Sequence, residues 1–554
     1  MPAIRNWRWK ADSASRAPRS IGKGAVPEKP LQRQLSKRTL RSHVVLHPDS
    51  TSVPRVQQHY RTSASHSARP LPLRPTLKED FMAYKSVNPY DGRTLKTFDE
   101  MTDAQLETAI TTAAAAYETW RHRTYAERAA IVAKAASIMH AKVDEFARPM
   151  TLEMGKRIDE ARGELEFSSQ ILAYYAHNAE RFLAPVKLNP TVGQAHMESS
   201  PIGVVFCVEP WNFPFYQLAR VAGPHLMAGN VLMVKHASNV PQCAIAFEKL
   251  WIEAGAPVGL YTNLLISHDQ SHRVIDDSRV KGVALTGSVE VGRDVAARAG
   301  RKVKASSMEL GGSDAFIVLE DADLEHTIKW AVWGRMYNTG QTCCAAKRFI
   351  VVEEVADAFL EKFKSALSSF EPGDPMDEMT TLGPLSSESA LLGLLKQVDH
   401  AVSNGAKLLL GGKRIDRPGS FMEPTILTGI EPKNPAFREE FFGPVALFFT
   451  VKNEDEAIAL ANDSDFGLGG SVFTKDEARG QRIASRVETG MMFVNNISWS
   501  DAELPFGGIK DSGYGRELGD LGIQQFVNKK LVRFGSIEAP ATMPARELVG
   551  SGKI

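Results

Sequence analysis

One cysteine in this sequence has neighbours typical of a catalytic nucleophile. Cys343 follows Gly-Gln-Thr at residues 340–342, in a chain of 554 residues that contains only four cysteines. A cysteine thiolate is intrinsically very nucleophilic and is a common centre for covalent catalysis. Cys207 and Cys243 stand in apolar segments and are interpreted as small buried hydrophobes. Cys343 is therefore the candidate for covalent chemistry.

Two further polar residues occur where a general base and an oxyanion donor could act. Glu309 lies between apolar residues and a Gly-Gly pair, at a point where a strand is expected. Apolar surroundings raise the pKa of a carboxyl towards the working range of a general base. Asn212 follows a predicted strand, and ligands collect at the carboxyl ends of parallel strands. Its amide could hydrogen-bond a developing oxyanion.

A nucleotide-binding signal of the GxGxxG type is absent after the first strand of the body. Instead, Gly287 and Ser288 lead from a predicted strand into a helix that contains Gly292. Backbone N–H groups at the start of such a helix suit a phosphate, and Ser288 could cap the helix. Ordinary capping produces the same pattern, so by itself this segment only weakly indicates a nucleotide site.

Five motifs, in order, resemble those of the aldehyde dehydrogenase superfamily. They are PWNFP at 210–214, MELGG at 308–312, GQTC at 340–343, EFFGP at 440–444 and PFGGIKDSGYGR at 505–516, within a resemblance that covers about residues 85–535. The resemblance implies that Cys343 attacks an aldehyde carbon while Asn212 and the Cys343 backbone N–H hold the oxyanion. Hydride then leaves for a nicotinamide, and Glu309 activates the water that hydrolyses the thioester to a carboxylic acid.

The same resemblance implies which residues bind the cofactor. Glu440 is similar to the ribose-binding carboxylate, Phe442 to the aromatic residue that places the nicotinamide, and Trp211 belongs to the first motif. Lys235 is similar to the lysine that reaches the adenosine ribose. Ser238 stands where NAD-preferring members carry Glu, a residue that would repel a 2′-phosphate. A hydroxyl can donate to that phosphate instead, so the expected cofactor is NADP or NAD, with NADP favoured.

Within the family, the sequence around the nucleophile is closest to succinate-semialdehyde dehydrogenases of the shorter bacterial type. This resemblance implies oxidation of succinate semialdehyde to succinate, with Arg220 binding the distal carboxylate and Ser498 or Ser500 supplying a loop hydroxyl. The chain departs from some members in two places. Tyr337 replaces a second carboxylate-binding arginine, with Arg335 two positions away, and the residue two after the nucleophile is not cysteine.

Two other functions remain open on the sequence. One is an aldehyde dehydrogenase for a different aldehyde in a specialised pathway. The other is a catalytically silent member of the family that serves as a binding protein, with its basic N-terminal segment on nucleic acid. Intact Cys343, Glu309 and Asn212 favour the enzyme. The expected partner is therefore a small-molecule aldehyde, and neither a nucleic acid, a membrane nor a metal is expected.

These residues need an α/β framework to bring them together. Short apolar runs at 204–208, 231–234, 263–266 and 283–285 alternate with helical patterns at 215–227, 244–254 and 291–299. Such alternation predicts a parallel, doubly wound sheet. From about residue 101 to 182, apolar residues recur at helical spacing, which predicts a helical layer over that sheet.

The resemblance extends this pattern to an aldehyde dehydrogenase-like fold with two doubly wound parallel-sheet domains and a small β extension. Residues 82–184 and 201–310 are expected to form the dinucleotide-binding domain, and residues 311–526 the catalytic domain. Residues 185–200 and 527–537 resemble strands through which family members pair subunits, so a homodimer or homotetramer is expected. Residues 538–554 are expected to form a C-terminal tail.

Charge separates an N-terminal segment from the remainder of the chain. The net charge is +1, but residues 1–78 hold 16 Lys and Arg against three acids, and the other 476 residues therefore carry −12. A segment rich in Arg and Ser and poor in acids predicts disorder through residue 81 and is typical of a mitochondrial transit peptide, hence a matrix location. A cytoplasmic protein that starts at Met82 and an interaction arm are the alternatives. No run of 18 apolar residues predicts a membrane span.

Overall fold

The computed structural model describes residues 84–191 and 193–535. The predictions for residues 1–81, including the transit peptide and the start at Met82, lie outside these residues, as does the predicted tail at 538–554. In the described ranges, no helix is both long enough and apolar enough to cross a bilayer.

The described residues form twenty strands. In chain order these are β1 Tyr84–Val87, β2 Thr94–Phe98, β3 Val186–Leu188, β4 Gln194–Pro201, β5 Val204–Glu209, β6 Val231–His236, β7 Tyr261–Asn263, β8 Val280–Thr286, β9 Ala305–Glu309, β10 Asp314–Val318, β11 Ala346–Val352, β12 Lys407–Leu410, β13 Thr425–Thr428, β14 Val445–Val451, β15 Phe466–Gly467, β16 Gly470–Phe473, β17 Phe493–Val494, β18 Ile509–Lys510, β19 Gly513–Tyr514 and β20 Val527–Phe534.

Fourteen α-helices and two short 3-10 turns complete the described elements. The helices are α1 Asp103–Trp120, α2 Tyr125–Ala141, α3 Val143–Met154, α4 Ile158–Phe182, α5 Tyr216–Ala228, α6 Pro241–Ala254, α7 His268–Asp276, α8 Val289–Arg301, α9 Leu324–Met336, α10 Glu353–Leu367, α11 Glu388–Ser403, α12 Glu454–Asn462, α13 Glu477–Ala484 and α14 Gly519–Ile523. The 3-10 turns are Tyr337–Gly340 and Pro435–Phe437.

A six-stranded sheet forms the first α/β layer, in the order β19-β9-β8-β5-β6-β7. Neighbouring strands are parallel except β19, which runs antiparallel to β9. The chain moves outward from β5 through β6 to β7 and then returns to the other side of β5 as β8. This reversal opens a crevice at the carboxyl ends of β5 and β8, which is where parallel sheets bind ligands.

Most of the predicted elements in this layer are confirmed, with ends shifted by one to three residues. The strand predicted at 263–266 is wrong, because β7 ends at Asn263. Leu264 and Ile266 are buried, yet the Ile266 N–H donates to the Tyr84 hydroxyl at 3.1 Å rather than to a neighbouring strand. An apolar run thus indicates burial without saying whether a strand partner is available.

The predicted helical layer over 101–182 is formed by α1 to α4, and α4 packs on both α2 and α5. Thr102 and Thr124 begin α1 and α2 with capping boxes, in which each hydroxyl accepts a backbone N–H three residues later. The buried face of α2 includes Val132, Ala135, Ala136 and Met139. Ala130 and Ala133 lie on the other face of α2 and are exposed.

The second α/β layer is a seven-stranded sheet, in the order β12-β13-β14-β11-β10-β16-β17, in which only β12 is antiparallel to its neighbour. Successive residues of its central strands point to opposite faces. Phe316 and Phe349 belong to one buried apolar cluster, and Ile317 and Ile350 to another. The sheet is therefore covered on both faces, as expected for a doubly wound domain.

Two smaller features do not follow a division of the chain into two domains that are consecutive in sequence. Strand β19 lies within the predicted catalytic segment 311–526 but pairs with β9 of the first layer, because the chain crosses back to it near residue 505. The Ser512 hydroxyl donates to the Gly311 carbonyl at 2.6 Å and so ties this crossing to the Gly-Gly turn. Strands β3, β4 and β20 form a separate three-stranded antiparallel sheet from the segments predicted to pair subunits.

Candidate active site

Cys343 lies in the loop between the 3-10 turn Tyr337–Gly340 and β11, and it is half-buried. The turn is tight: Asn338 and Thr339 have φ of 54° and 53°, in the left-handed region that non-glycine residues rarely adopt. Such conformations persist only where the surroundings hold them. The nucleophile loop is therefore a fixed structure rather than a loose connection.

Arg335 is one of the groups that hold this loop. It is fully buried, and its Nη1 and Nη2 donate to the carbonyls of Ala346 at 3.1 Å and Gly340 at 2.6 Å. The guanidinium is thus used to bracket the loop from both ends. It does not substitute for the carboxylate-binding arginine that Tyr337 replaces, and Tyr337 itself stacks on Phe213 with ring centres 6.0 Å apart.

Asn212 is buried within the loop that joins β5 to α5, and it contacts the nucleophile loop directly. Its Nδ2 donates to the Gln341 carbonyl at 3.1 Å, and its own carbonyl accepts from Asn338 Nδ2 at 2.9 Å. A side-chain amide has two N–H donors, so one remains for an oxyanion. The structure thereby brings together the two segments that the sequence predicts to share an oxyanion site.

A buried ion pair that the sequence analysis missed supports Asn212. Lys156 and Glu164 pair with side-chain exposures of 0% and 1%, and Lys156 Nζ also donates to the Asn212 carbonyl at 2.8 Å. Glu164 Oε1 accepts the backbone N–H groups of Phe215 and Tyr216 at 2.9 and 3.0 Å, where α5 begins. Those N–H groups have no partner within their own helix. The sequence signal that could have indicated this pair is the position of Glu164 among the apolar residues of α4.

Glu309 ends β9 and is 2% exposed, and neither of its carboxylate oxygens has a hydrogen-bond partner within the described residues. Burial, together with the nearby Glu517 carboxylate, raises the pKa of Glu309 well above its ordinary value, while Arg220 opposes that rise. A hydrogen bond with the Cys344 thiol and the positive charges of Arg220 and Lys347 lower the pKa of Cys343 against the opposing effect of burial. Both pKa values therefore move towards neutral pH.

Three residues predicted to hold the nicotinamide half of a cofactor lie close together, beside the nucleophile loop. Trp211 and Phe442 contact edge to face with ring centres 5.7 Å apart. Glu440 Oε1 accepts the Gly312 N–H at 3.0 Å and pairs with Lys347 Nζ, also at 3.0 Å. Two aromatic rings and a fixed carboxylate can accommodate a nicotinamide and its ribose hydroxyls.

The residues predicted to bind the adenosine half occur at the end of β6. Lys235 is 9% exposed, and its Nζ lies 5.6 Å from the centre of the Tyr84 ring but makes no ion pair in the part of the chain described here. A buried ammonium without a protein anion fits a ligand that supplies hydroxyls or a phosphate. Ser238, two residues beyond the strand, is exposed. His236 is buried between the carbonyls of Glu209 and Pro214, so it packs inside the protein.

The glycine and serine residues at the start of α8 divide into two groups. The Ser288 hydroxyl accepts the Val291 N–H at 3.4 Å and caps the helix, and a Cβ added at neighbouring Gly287 would meet only the Leu285 side chain, at 3.5 Å. Both are available to a phosphate. Gly292 is buried, and a Cβ at this position would overlap the Leu310 side chain, so close helix–strand packing requires a glycine there. Its contact with the cofactor stays a prediction.

An aromatic pocket leads to Cys343 and Cys344. Its walls include Arg220 and Ser500 and the rings of Phe167, Phe213, Tyr216, Tyr337, Trp499 and Phe506. The Ser500 hydroxyl and the Tyr216 hydroxyl are 2.7 Å apart. Ser498 is 3% exposed and does not line this pocket, and its hydroxyl has no hydrogen-bond partner among the described residues, so its substrate role stays a prediction.

Arg220 lines the pocket, but its guanidinium already has protein partners. It is 1% exposed and forms an ion pair with Glu517. Its Nη2 donates to the Thr286 hydroxyl at 2.9 Å, and its Nη1 donates to the Tyr216 hydroxyl at 3.3 Å. The sequence analysis did not identify Glu517 as this partner. Only Nη1, with its long bond to Tyr216, remains directed at the polar group formed by Tyr216 and Ser500.

These contacts support covalent chemistry on a carbonyl compound. A thiol with a lowered pKa lies beside two potential oxyanion donors, and a buried carboxylate with free oxygens can accept a proton. The adjoining crevice can take a dinucleotide, and the aromatic pocket can take a short substrate chain.

Comparison with known proteins agrees with this chemistry. The model of the aldehyde dehydrogenase family matches residues 77–532. A succinate-semialdehyde dehydrogenase [NADP(+)] from Deinococcus radiodurans is 47% identical over 459 residues, which covers 83% of this chain and 96% of that protein. A probable succinate-semialdehyde dehydrogenase [NADP(+)] from Synechocystis is 44% identical over 451 residues, covering 81% and 99%.

Solved structures show the same relationship. The crystal structure of succinic semialdehyde dehydrogenase from Streptococcus pyogenes in complex with NADP+ is 45% identical, with a TM-score of 0.81, and covers 82% of this chain and 100% of that chain. A succinate-semialdehyde dehydrogenase from Burkholderia pseudomallei is 35% identical, with a TM-score of 0.80, covering 82% and 95%. The order of the motifs, the two parallel sheets and the family match agree, and the chain belongs to the aldehyde dehydrogenase family.

Proposed function

We propose that this protein oxidises succinate semialdehyde to succinate with NADP+ as the hydride acceptor. The observation that carries the proposal is a buried arginine, Arg220, in the wall of an aromatic pocket that leads to Cys343. A cation there favours an aldehyde with a carboxylate at its other end. The relatives at 44–47% identity, which are named succinate-semialdehyde dehydrogenases, support this choice.

The first half of the reaction forms a thioester on the protein. The Cys343 thiolate adds to the aldehyde carbon, and the free N–H of Asn212 together with the Cys343 backbone N–H stabilises the oxyanion. Trp211, Glu440 and Phe442 would hold the nicotinamide, which would supply the hydride acceptor for that carbon. As the oxyanion collapses to a carbonyl, the acyl group remains bonded to the Cys343 sulfur.

The second half of the reaction releases the acid. Glu309 removes a proton from a water molecule as the water oxygen attacks the thioester carbonyl, and the thiolate of Cys343 leaves. The absence of hydrogen-bond partners on both Glu309 oxygens, within the residues described, supports this role because the carboxylate is free to accept the proton. The same oxyanion donors act again at this step.

The adenosine end of the site favours NADP+. Lys235 would contribute positive charge to the ribose and its 2′-phosphate, and the exposed Ser238 hydroxyl would donate a hydrogen bond to that phosphate. The absence of a carboxylate at position 238 removes the repulsion that would favour NAD+. Ser288 and Gly287 at the start of α8 would receive the pyrophosphate.

The distal carboxylate of the substrate is expected to bind Nη1 of Arg220 together with the Tyr216 and Ser500 hydroxyls. Replacing Arg220 by Ala should therefore lower kcat/KM for succinate semialdehyde by about 30- to 1000-fold, which corresponds to about 2–4 kcal/mol for a lost charge-assisted contact. Butanal, an uncharged aldehyde of the same length, should lose much less.

Glu517→Gln is the matched control, because it also breaks the Arg220–Glu517 pair but leaves the guanidinium in place. This variant should retain the preference for the charged aldehyde. Steady-state kinetics of both variants with both aldehydes give the two ratios. Equal losses for the charged and uncharged substrates in Arg220→Ala would show that Arg220 acts only through Glu517. The function would then be that of an aldehyde dehydrogenase for another aldehyde.

We also propose that the protein forms a homodimer or homotetramer through the β3-β4-β20 sheet. Both outer strands of that sheet have a free edge among the described residues, and an unpaired edge is suited to strand pairing with another chain. Its exposed apolar side chains include Val186, Leu188, Leu531 and Phe534. Exposed apolar patches of this kind are typical of protein–protein interfaces.

A further inference from the structure

Lys347 is a buried cation for which neither the motifs nor the proposed reaction provides a role. It is the second residue of β11, four residues after Cys343, and its side chain has no solvent exposure. Burying an ammonium is costly unless all its donors are used. The contacts of this side chain therefore indicate what the charge does at this position.

All three donors of the Lys347 ammonium have acceptors at the active site. Nζ donates to the Thr342 carbonyl at 2.9 Å and to the Cys343 carbonyl at 2.7 Å. It pairs with Glu440 Oε1 at 3.0 Å. An ammonium has three N–H groups and no acceptor function, so these contacts saturate it. The ring centre of Phe442 is 5.9 Å from the same nitrogen.

The bond to Thr342 controls the oxyanion donor. The Thr342 carbonyl and the Cys343 N–H belong to one planar, trans peptide unit, so they point in opposite directions. Fixing the carbonyl on Lys347 therefore fixes the direction of the N–H on the other side. The second bond, to the Cys343 carbonyl, fixes the next peptide plane. Two consecutive carbonyls held by one cation leave the nucleophile loop little rotational freedom.

The bond to Glu440 connects this loop with the cofactor site. Among the described residues, the Glu440 carboxylate otherwise accepts only the Gly312 N–H, at 3.0 Å. Lys347 thus spans the distance between the segment that carries the nucleophile and the carboxylate that would receive the ribose hydroxyls.

We propose that Lys347 is a positioning residue that aligns the Cys343 backbone N–H as oxyanion donor and couples it to Glu440 in the cofactor site. The proposal rests on the proposed function for its reaction steps. It assigns Lys347 no contact with substrate or with transferred atoms. The positive charge of Lys347 also contributes to lowering the Cys343 pKa, after the larger effects of Cys344 and Arg220.

The test compares Lys347→Met, which keeps the straight chain but removes the three donors, with Lys347→Arg. Lys362→Met is the matched control, because Lys362 is half exposed and pairs only with Glu325 on the surface. Three quantities are measured: kcat with succinate semialdehyde at saturating NADP+, the Kd of NADP+ by fluorescence titration without aldehyde, and the rate of Cys343 alkylation by iodoacetamide without cofactor.

Lys347→Met should lower kcat by about 10- to 100-fold, less than the roughly 10²- to 10³-fold cost of losing an oxyanion donor outright. Cys343 alkylation should slow by about threefold or more. The Kd of NADP+ should change by about fivefold or more, as expected for one charge-assisted bond. In a Glu440→Gln background, the effect of Lys347→Met on that Kd should disappear while the loss of kcat remains. The effect on Kd acts through the bond to Glu440, whereas the effect on kcat acts through the bonds to the loop carbonyls.

Lys347→Arg keeps the charge but cannot direct three bonds from one atom, so it should restore alkylation more than kcat. Wild-type kcat and Kd in Lys347→Met would overturn the proposal. Additive effects of Lys347→Met and Glu440→Gln on the Kd would also overturn the coupling. If neither Lys347 variant folds, the residue is structural and the proposal fails. If the wild-type protein oxidises no aldehyde, the proposed function fails. The alkylation rates and the Kd values still test the positioning role of Lys347 in that case.

Discussion

Glu309 and Cys343 have pKa values that their surroundings move in opposite directions. Burial raises the pKa of Glu309, and neighbouring donors and positive charges lower that of Cys343. A base must be deprotonated to accept a proton, so thioester hydrolysis should speed up as pH rises through the raised pKa of Glu309. The Cys343 thiolate should likewise be available at a lower pH than that of an ordinary thiol. Oxidation near neutral pH is consistent with both shifts.

Ser238 is the residue at which the proposed preference for NADP+ can be tested. Replacing Ser238 by Glu should weaken NADP+ far more than NAD+, because it sets a carboxylate against a phosphate of almost two negative charges. Measured as kcat/KM, the preference for NADP+ over NAD+ should fall by about tenfold or more, as for a loss of about 1.4 kcal/mol.

Ser238→Gln controls for side-chain size, since it fills the same space without charge and should shift the preference much less. If Ser238→Glu leaves the ratio of the two kcat/KM values unchanged, residue 238 does not face the 2′-phosphate.

Among the elements, the start of α5 depends on a charge supplied by another helix. Glu164 of α4 accepts two N–H groups at the start of α5 and is paired with Lys156, which in turn holds the Asn212 carbonyl. Asn212, the proposed oxyanion donor, is therefore positioned by a buried ion pair that joins α4, α5 and the loop before α4. Removing one partner of such a pair leaves the other charge buried and unpaired.

Lys156→Met should lower the free energy of unfolding by about 3–5 kcal/mol, the usual cost of leaving a buried charge unpaired. The double variant Lys156→Met/Glu164→Gln should recover part of this loss, because it removes the stranded charge and keeps an oxygen for the α5 N–H groups. Urea unfolding followed by tryptophan fluorescence measures both.

Lys134→Met, on the exposed face of α2, is the control and should have no effect. A double variant that is less stable than Lys156→Met would mean that the pair contributes net stability beyond charge compensation. An unfolding midpoint of Lys156→Met equal to that of the wild type would rule out the role of the pair.

Much of the framework could be predicted from the sequence, because continuous apolar strands such as β5 and β8 are buried on both faces and have few alternatives. The positions of Cys343, Glu309 and Asn212 relative to the elements follow from the motifs. Glu517 as partner of Arg220, and Lys156 as support of Asn212, could not be predicted. The first contact joins residues that are 297 positions apart in the sequence, and the second joins residues that are 56 positions apart. Charge compensation in a core leaves no local sequence pattern. The burial of Gly292 and Ser498 could not be predicted either, because a motif does not show which way a residue faces.

At the level of the whole molecule, the β3-β4-β20 sheet offers the surface on which assembly should depend. Leu531 and Phe534 on β20 are 62% and 55% exposed and share this sheet with exposed Val186 and Leu188, and a group of apolar side chains of this kind is typical of a surface that another chain covers. Replacing both by Asp should shift the protein to a monomer in sedimentation velocity experiments, because the carboxylates would have to be buried without partners.

Met379→Asp serves as the control, since Met379 is 84% exposed and lies outside this sheet. It should leave the mass unchanged. If the Leu531 and Phe534 double variant keeps the wild-type mass at every concentration, the proposed interface is wrong.

The central claim is that Cys343 carries the acyl group and Glu309 releases it. Rapid mixing of the protein with succinate semialdehyde and NADP+ tests this directly through the absorbance of NADPH. Glu309→Gln should form about one equivalent of NADPH per active site in a burst and then turn over slowly, because acylation precedes the step that needs the base. Cys343→Ala should give neither burst nor turnover while still binding NADP+. NADPH formation by Cys343→Ala at a rate near that of the wild type would contradict the account.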